Sequence, residues 1–228
     1  MFVLTELQKI LSKVDHTLLK PDCTLQKIKQ LCDEAIEFKT ASVCVPPCFV
    51  ADAKDFLENS GVKVCTVVGF PNGYSTCASK TFEAYDALDN GAEEIDMVIN
   101  VALLKSGRYD LVEEEIRSVR EATRGFVLKV IIETCLLDRE QKIRMCKIVT
   151  ECGADYIKTS TGFSTAGATK EDIALFKEYL GSGVKIKAAG GIKSLKEAKE
   201  FIDAGCDRLG TSKVVAAAKA IKNADMII

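Results

Sequence analysis

The chain has 228 residues, 47% of them apolar, with 31 Lys and Arg against 33 Asp and Glu and a formal net charge of -2. That length and apolar content suit one soluble domain spanning residues 1–228, the size at which a closed barrel forms a single core. The even charge balance, with no Lys/Arg block, gives no support for nucleic-acid binding, and no apolar stretch approaches the roughly 20 residues that span a bilayer, so neither nucleic acid nor membrane is expected as a partner.

In chain order, the first segment is amphipathic and carries Glu6 and Lys9. It lacks the basic region and apolar core of a signal peptide, so a cytoplasmic location is expected. A helix is expected over Glu6–Ser12. Short β-rich runs then alternate with helical patterns. The strands are expected at Val14–Leu18, Ala41–Val45, Val62–Val68, Glu94–Ile99, Leu128–Glu133, Tyr156–Thr159, Lys185–Ala189 and Arg208–Gly210. The helices are expected at Thr24–Phe38, Pro47–Ser60, Ser79–Asn90, Tyr109–Thr123, Arg139–Cys152, Lys170–Leu180, Ser194–Ala204 and Ser212–Lys222. Strand-then-helix repeated eight times is the pattern of a (β/α)8 TIM barrel, here with an extra N-terminal helix. An open doubly wound sheet is the alternative, but no G-x-G-x-x-G follows the first strand and no P-loop occurs.

Local signals agree with the helices. Asp22 or Thr24, Thr169 and Ser194 are placed as N-caps. Gly-Ala-Glu at 91–93, Gly-Ala-Asp at 153–155 and Gly-Cys-Asp at 205–207 repeat one helix-to-strand turn. The 10 cysteines include no C-x-x-C, and a single histidine accompanies them, so neither a zinc site nor a disulfide framework is expected. Cys44, Cys65, Cys135 and Cys206 fall in apolar runs or helical faces and read as small hydrophobes in a reducing compartment.

Barrel strands are covered on both faces, so charges inside them need an explanation. Asp15, Asp96, Lys129, Glu133, Lys158 and Lys187 are such charges. Lys129, Ile131 and Glu133 share one strand face, and Asp96 shares one with Val98. One reading is a buried network of mutual neutralisation, which suits Lys129 and Glu133. The other is chemistry. Lys158 and Lys187 end their strands just before small-residue turns, and two such lysines on neighbouring strands would hold each other's pKa down, as an amine that attacks a carbonyl requires. Segments 159–164, 189–192 and 210–212 are rich in Gly, Ser and Thr and follow the last three strands. Backbone N–H groups and the helix beginning near Ser212 would bind a phosphate there, with Lys193 as a further cation.

These residues sit in segments that resemble the deoxyribose-phosphate aldolase family over nearly the whole chain. The segments are VDHTLLKP at 14–21, SVCVP at 42–46, VVGFP at 67–71, EIDMVIN at 94–100, KVIIET at 129–134, YIKTSTG at 156–162 and KAAGGI at 187–192. The resemblance implies a class I aldolase without metal or organic cofactor, acting on 2-deoxy-D-ribose 5-phosphate, D-glyceraldehyde 3-phosphate and acetaldehyde. It implies Lys158 as the Schiff-base lysine, Lys187 as the second lysine that lowers the nucleophile's pKa, and Asp96 as the carboxylate of the proton relay. Asp15 and Cys44 match positions lining the pocket, and Thr161, Gly162, Gly190, Gly191, Gly210 and Ser212 match the substrate and phosphate site. Some members carry a tyrosine in a C-terminal tail. No tyrosine follows Tyr179 here, so either proton abstraction rests on Asp96 and water alone or a tail continues beyond residue 228. Phe163 stands where some members have a lysine. Association into a dimer or tetramer is in keeping with such families, though no residue here identifies a surface. The rival readings are another Schiff-base barrel, transaldolase-like or dehydratase-like, and a phosphosugar-binding protein without catalysis.

Overall fold

A computed structural model describes residues 2–225. The residues after 225, where a tail would continue, lie outside the described residues. The chain closes eight parallel strands in sequence order into a barrel: β1 Val14–Thr17, β2 Ser42–Val45, β3 Lys63–Val68, β4 Glu94–Val98, β5 Val127–Ile131, β6 Tyr156–Lys158, β7 Lys185–Ala189 and β8 Arg208–Thr211. The opening helix α1, Phe2–Leu11, packs against the last two helices of the chain, Leu195–Ala204 and Val214–Asp225. The helices after it are α2 Leu25–Phe38, α3 Val50–Phe56, α4 Cys77–Asp89, α5 Val101–Lys105, α6 Tyr109–Ala122, α7 Arg139–Glu151, α8 Lys170–Tyr179, α9 Leu195–Ala204 and α10 Val214–Asp225.

Alternation along each strand sorts side chains between two environments. Val43, Val45, Val64, Val68, Ile95, Met97, Leu128, Val130, Ile157, Ile186, Ala188 and Leu209 join the apolar layer between barrel and helices. The residues between them face inward. There the usual filling of branched aliphatics is replaced by Asp15, Glu94, Asp96, Lys129, Lys187 and Arg208, which pair with one another. Register sets who meets whom. Asp96 lies opposite Lys129, Lys187 opposite both Lys158 and Arg208, and Cys44 opposite Cys65.

The helix boundaries follow from side-chain caps and C-terminal turns. Thr24, Thr76, Thr169 and Ser194 each accept a hydrogen bond from the third residue of the helix that follows. Thr24, not Asp22, caps α2. The three repeated turns share one geometry: the N–H of Gly91, Gly153 and Gly205 reaches back three residues, and the next N–H reaches back five. That double bond closes a helix and aims the chain at the following strand.

The differences from expectation are local. The segment expected as one helix at Pro47–Ser60 is a 3-10 turn, Pro47–Phe49, followed by the shorter α3. α5 was not expected; Asn100 caps it by accepting from the Leu103 N–H at 3.1 Å. β5 stops at Ile131, and Glu133 adopts a left-handed conformation at φ 53°. No described helix is long and apolar enough to cross a membrane.

Candidate active site

Inside the barrel, three carboxylates meet three lysines and an arginine. Asp96 is fully buried and holds the centre. Its Oδ2 accepts from Lys158 Nζ at 2.7 Å and from Lys187 Nζ at 2.6 Å, and its Oδ1 accepts from Lys129 Nζ at 2.8 Å. One layer below, Lys187 pairs with Asp15. Lys129 pairs with Glu94 at 2.6 Å. Arg208 spans Asp15 at 2.5 Å and Glu94 at 3.0 Å, with its guanidinium over the Tyr156 ring. Ser42 Oγ donates to Asp15 Oδ1 at 2.7 Å.

The charges are strongly perturbed. Burial pushes Asp96 upward, but Lys129, Lys158 and Lys187 outweigh it and hold the carboxyl well below the usual range. Asp15 is likewise held low: burial raises it, and Lys187, Arg208 and Lys129 more than reverse this. For Lys187 burial favours proton loss, yet Asp15 and Asp96 prevail and raise its pKa above that of an ordinary lysine. The expectation that the two lysines lower each other is corrected here for Lys187. A carboxylate sits between the ammonium groups, so Lys187 is a fixed cation. Lys158 differs in place. It ends β6, keeps 3% of its surface exposed, and has Asp96 as its one ion-pair partner among the described residues.

Above Lys158 opens a cavity of about 380 Å³ lined by Thr161, Gly162, Gly190, Gly191, Lys193, Gly210, Thr211, Ser212 and Lys213, with Thr17 and Lys20 on the β1 side. Two glycines in this wall are sterically required. Gly190 has φ 79° and packs on Gly167, whose Cα would lie 2.9 Å from an added Cβ. At Gly210 an added Cβ would stand 3.0 Å from the Ala189 Cβ and 3.2 Å from Lys187 Cε, so a side chain there would displace the lysine. Glu133 ties down the β6 loop by accepting from Thr161 Oγ1 at 2.5 Å, and Thr161 Oγ1 in turn accepts from the Phe163 N–H at 3.0 Å. Phe163 meets Phe70 edge to face at 5.3 Å. A hollow of about 410 Å³ lies elsewhere, at the start of β5. Its charges are engaged with each other, Arg120 with Asp155 and Arg124 with Glu121.

A buried carboxylate shared by a rim lysine and a second, fully buried lysine, beneath a glycine-lined cavity, suits amine chemistry on a carbonyl compound. Comparison with known proteins agrees. Residues 9–210 match the model of the DeoC/LacD family aldolases. The chain belongs to that family. A deoxyribose-phosphate aldolase of Clostridioides difficile (strain 630) is 53% identical over 219 residues, covering 96% of this chain and 98% of that protein. One from Clostridium botulinum (strain Alaska E43 / Type E3) is 56% identical over 207 residues, covering 91% and 93%. A tetrameric deoxyribose phosphate aldolase structure from Aeropyrum pernix superposes with a TM-score of 0.86 at 31% identity, covering 94% of this chain and 93% of that one.

Set against this aldolase-family fold, the residues singled out from the sequence fall into two layers. Lys158, Thr161, Gly162, Gly190, Gly191, Gly210 and Ser212 line the cavity. Asp96, Lys187, Asp15 and Cys44 lie beneath it, fully buried; Asp15 and Cys44, expected in the lining, reach it only through their neighbours. Lys129 joins the buried network as one of the two readings had it. Glu133 does not; it stands beyond the strand end as an anchor of the β6 loop. Sequence reasoning passed over Glu94 and Arg208, because each sits at the first position of a strand, where a charge reads as solvated. It also passed over Lys20 and Lys213, isolated lysines that only the closure of the barrel brings to one rim.

Proposed function

We propose that this chain is a class I aldolase that reversibly cleaves 2-deoxy-D-ribose 5-phosphate to D-glyceraldehyde 3-phosphate and acetaldehyde, in the breakdown of deoxyribose phosphates. The observation that carries the reading is Lys158 Nζ at the base of the cavity, 2.7 Å from the Asp96 oxygen that Lys187 also holds. Family membership and relatives more than 50% identical that carry this activity in their names support the choice of substrate.

In this reading the uncharged amine of Lys158 attacks C1 of the open-chain sugar, and loss of water gives a protonated imine. The imine withdraws electrons, and the C2–C3 bond breaks as the C3 hydroxyl loses its proton, leaving C3 as the aldehyde of the phosphorylated product. Asp96 and a water relay that proton, with Lys187 holding the carboxylate in place. The enamine left on Lys158 is protonated at C2 and hydrolysed, releasing acetaldehyde and restoring the amine. The protonated imine is itself the electron sink, so the scheme calls on neither a metal ion nor an organic cofactor. Lys187 serves as a fixed positive charge beside Asp96, and Asp15 acts through Lys187 by keeping it charged.

The phosphate is assigned to Gly162, Gly190, Gly191, Gly210 and Ser212, where the start of α10 adds the positive end of its dipole. Lys20, Lys193 and Lys213 add rim charge. Acetaldehyde offers few groups to bind, so the phosphate carries much of the binding energy. A coupled assay that consumes deoxyribose 5-phosphate and detects acetaldehyde tests the reading, and binding without turnover would contradict it. Ser212→Glu should raise KM for the phosphorylated sugar by about 10- to 100-fold through charge repulsion, while kcat/KM for free deoxyribose changes by less than about threefold. Equal losses for both sugars would mean that the phosphate does not bind there. Assembly into dimers or tetramers belongs to the proposal, supported by the tetrameric relative; light scattering that finds only monomer at assay concentration would remove it.

A further inference from the structure

Two thiols lie against the reacting groups without a part in the scheme above. Cys44 on β2 and Cys65 on β3 are paired in register across neighbouring parallel strands. Both point inward and are fully buried, and with Val67 they form a small apolar cluster against Leu19 and Phe70. Their sulfurs and an Asp96 oxygen lie within 4.8 Å of one another. Cys65 Sγ stands 3.3 Å from Asp96 Oδ1 and 3.4 Å from Lys129 Nζ. Register-paired residues on adjacent strands have Cα atoms about 4.8 Å apart, inside the range of about 4.4–6.8 Å that a disulfide spans.

From this placement we infer that Cys44 and Cys65 form an oxidisable dithiol, closed to a disulfide by a peroxide, and that its closure switches the barrel off reversibly. The two thiols are unequal, which gives the reaction an order. The neighbouring Cys65 thiol lowers the pKa of Cys44, aided by Lys187 and Lys158, whereas burial pushes Cys65 well above the ordinary thiol range. Cys44 sulfur attacks one oxygen of hydrogen peroxide, the O–O bond breaks, and the departing hydroxide takes the thiol proton as water, leaving a sulfenic acid. Cys65 sulfur then attacks that sulfur. The S–S bond forms, the S–O bond breaks, and hydroxide leaves with the Cys65 proton as a second water. Two electrons pass from the thiols to the peroxide. Access is no obstacle on the reading proposed above, since water and a two-carbon aldehyde must reach Lys158, and a peroxide molecule is no larger than the aldehyde.

The consequence lies at Asp96. Drawing Cys65 Sγ to bonding distance from Cys44 takes it away from Asp96 Oδ1 and Lys129, so the carboxylate that bridges both catalytic lysines is re-aimed. Small displacements of such a group cost large factors in rate.

The test uses the purified full-length protein, hydrogen peroxide, and peptide mapping without reduction. The expected result is a Cys44–Cys65 cross-linked peptide whose yield tracks a fall in rate of at least about tenfold, both reversed by dithiothreitol. Cys65→Ala should form no cross-linked peptide and carry a dimedone-trapped sulfenic acid at Cys44, and its rate, referred to its own untreated value, should escape the fall that tracks the cross-link. Cys65→Ser serves in the same role if the alanine variant does not fold. Inactivation without the cross-linked peptide, the peptide without inactivation, or no peptide at all after exhaustive oxidation would each overturn the inference. The peptide map is read independently of any substrate, so failure of the dithiol and failure of the aldolase reading are distinguishable.

Discussion

Lys158→Ala is expected to lower the rate of deoxyribose 5-phosphate cleavage by at least about 10⁴-fold while leaving the fold and its melting temperature close to those of the parent. The rate falls because no other amine can take over. Lys187 is the nearest candidate, but Asp15 and Asp96 hold it charged, and a protonated amine has no lone pair for a carbonyl. The fold persists because Asp96 keeps Lys187 on Oδ2 and Lys129 on Oδ1, and the buried set then counts three carboxylates against three cations. Steady-state kinetics and thermal unfolding measured on the same preparation check both halves. A variant with near-normal turnover would remove Lys158 from the reaction, and one that fails to fold would mean that the lysine is needed for the network itself.

Lys187→Leu is expected to damage both activity and stability. Lys187 is fully buried between two carboxylates, and its loss leaves Asp15 and Asp96 each short of a partner. Breaking a buried pair in this way costs about 3 kcal/mol. The pH dependence carries the sharper signature. Without the Lys187 charge, the amine that must lose a proton faces Asp96 unopposed, so the acid limb of the kcat/KM profile should move to higher pH by about one unit. Linkage sets the range in which the network stabilises the parent. Asp15 and Asp96 are held below their unfolded values, so their contribution is present above about pH 4 and is lost as pH falls through the folded values. Lys187 is held above its unfolded value, so its contribution is present below about pH 10 and is lost as pH rises through the folded value. The stability deficit of the variant should therefore be flat between those limits. An unchanged activity profile would show that Lys187 does not act through its charge.

What the sequence disclosed and what it withheld divide along physical lines. The eight strands and their order were legible because buried parallel strands are short, apolar and punctuated, and because the Gly91, Gly153 and Gly205 turns repeat. Lys158, Lys187 and Asp96 stood out because charge inside such runs has few bland explanations. The boundaries at Pro47 and Glu133 and the five residues of α5 were not legible. A single helical turn carries too little periodicity, and nothing local distinguishes Glu133 in a strand from Glu133 in a left-handed turn. The Glu94–Arg208 pair and the Cys44–Cys65 contact depend on register and closure, which join residues 114 and 21 positions apart. Read singly, each cysteine is a small hydrophobe, and only their meeting beside Asp96 gives the pair a chemistry.

The central claim is that Lys158 forms a Schiff base, and it is tested most directly by incubating the protein with acetaldehyde, reducing with borohydride and mapping the modified peptide by mass spectrometry. The account predicts a single stable two-carbon adduct on Lys158, absent from Lys158→Ala. An adduct on Lys187 in its place, or none on either lysine in folded protein, would contradict it.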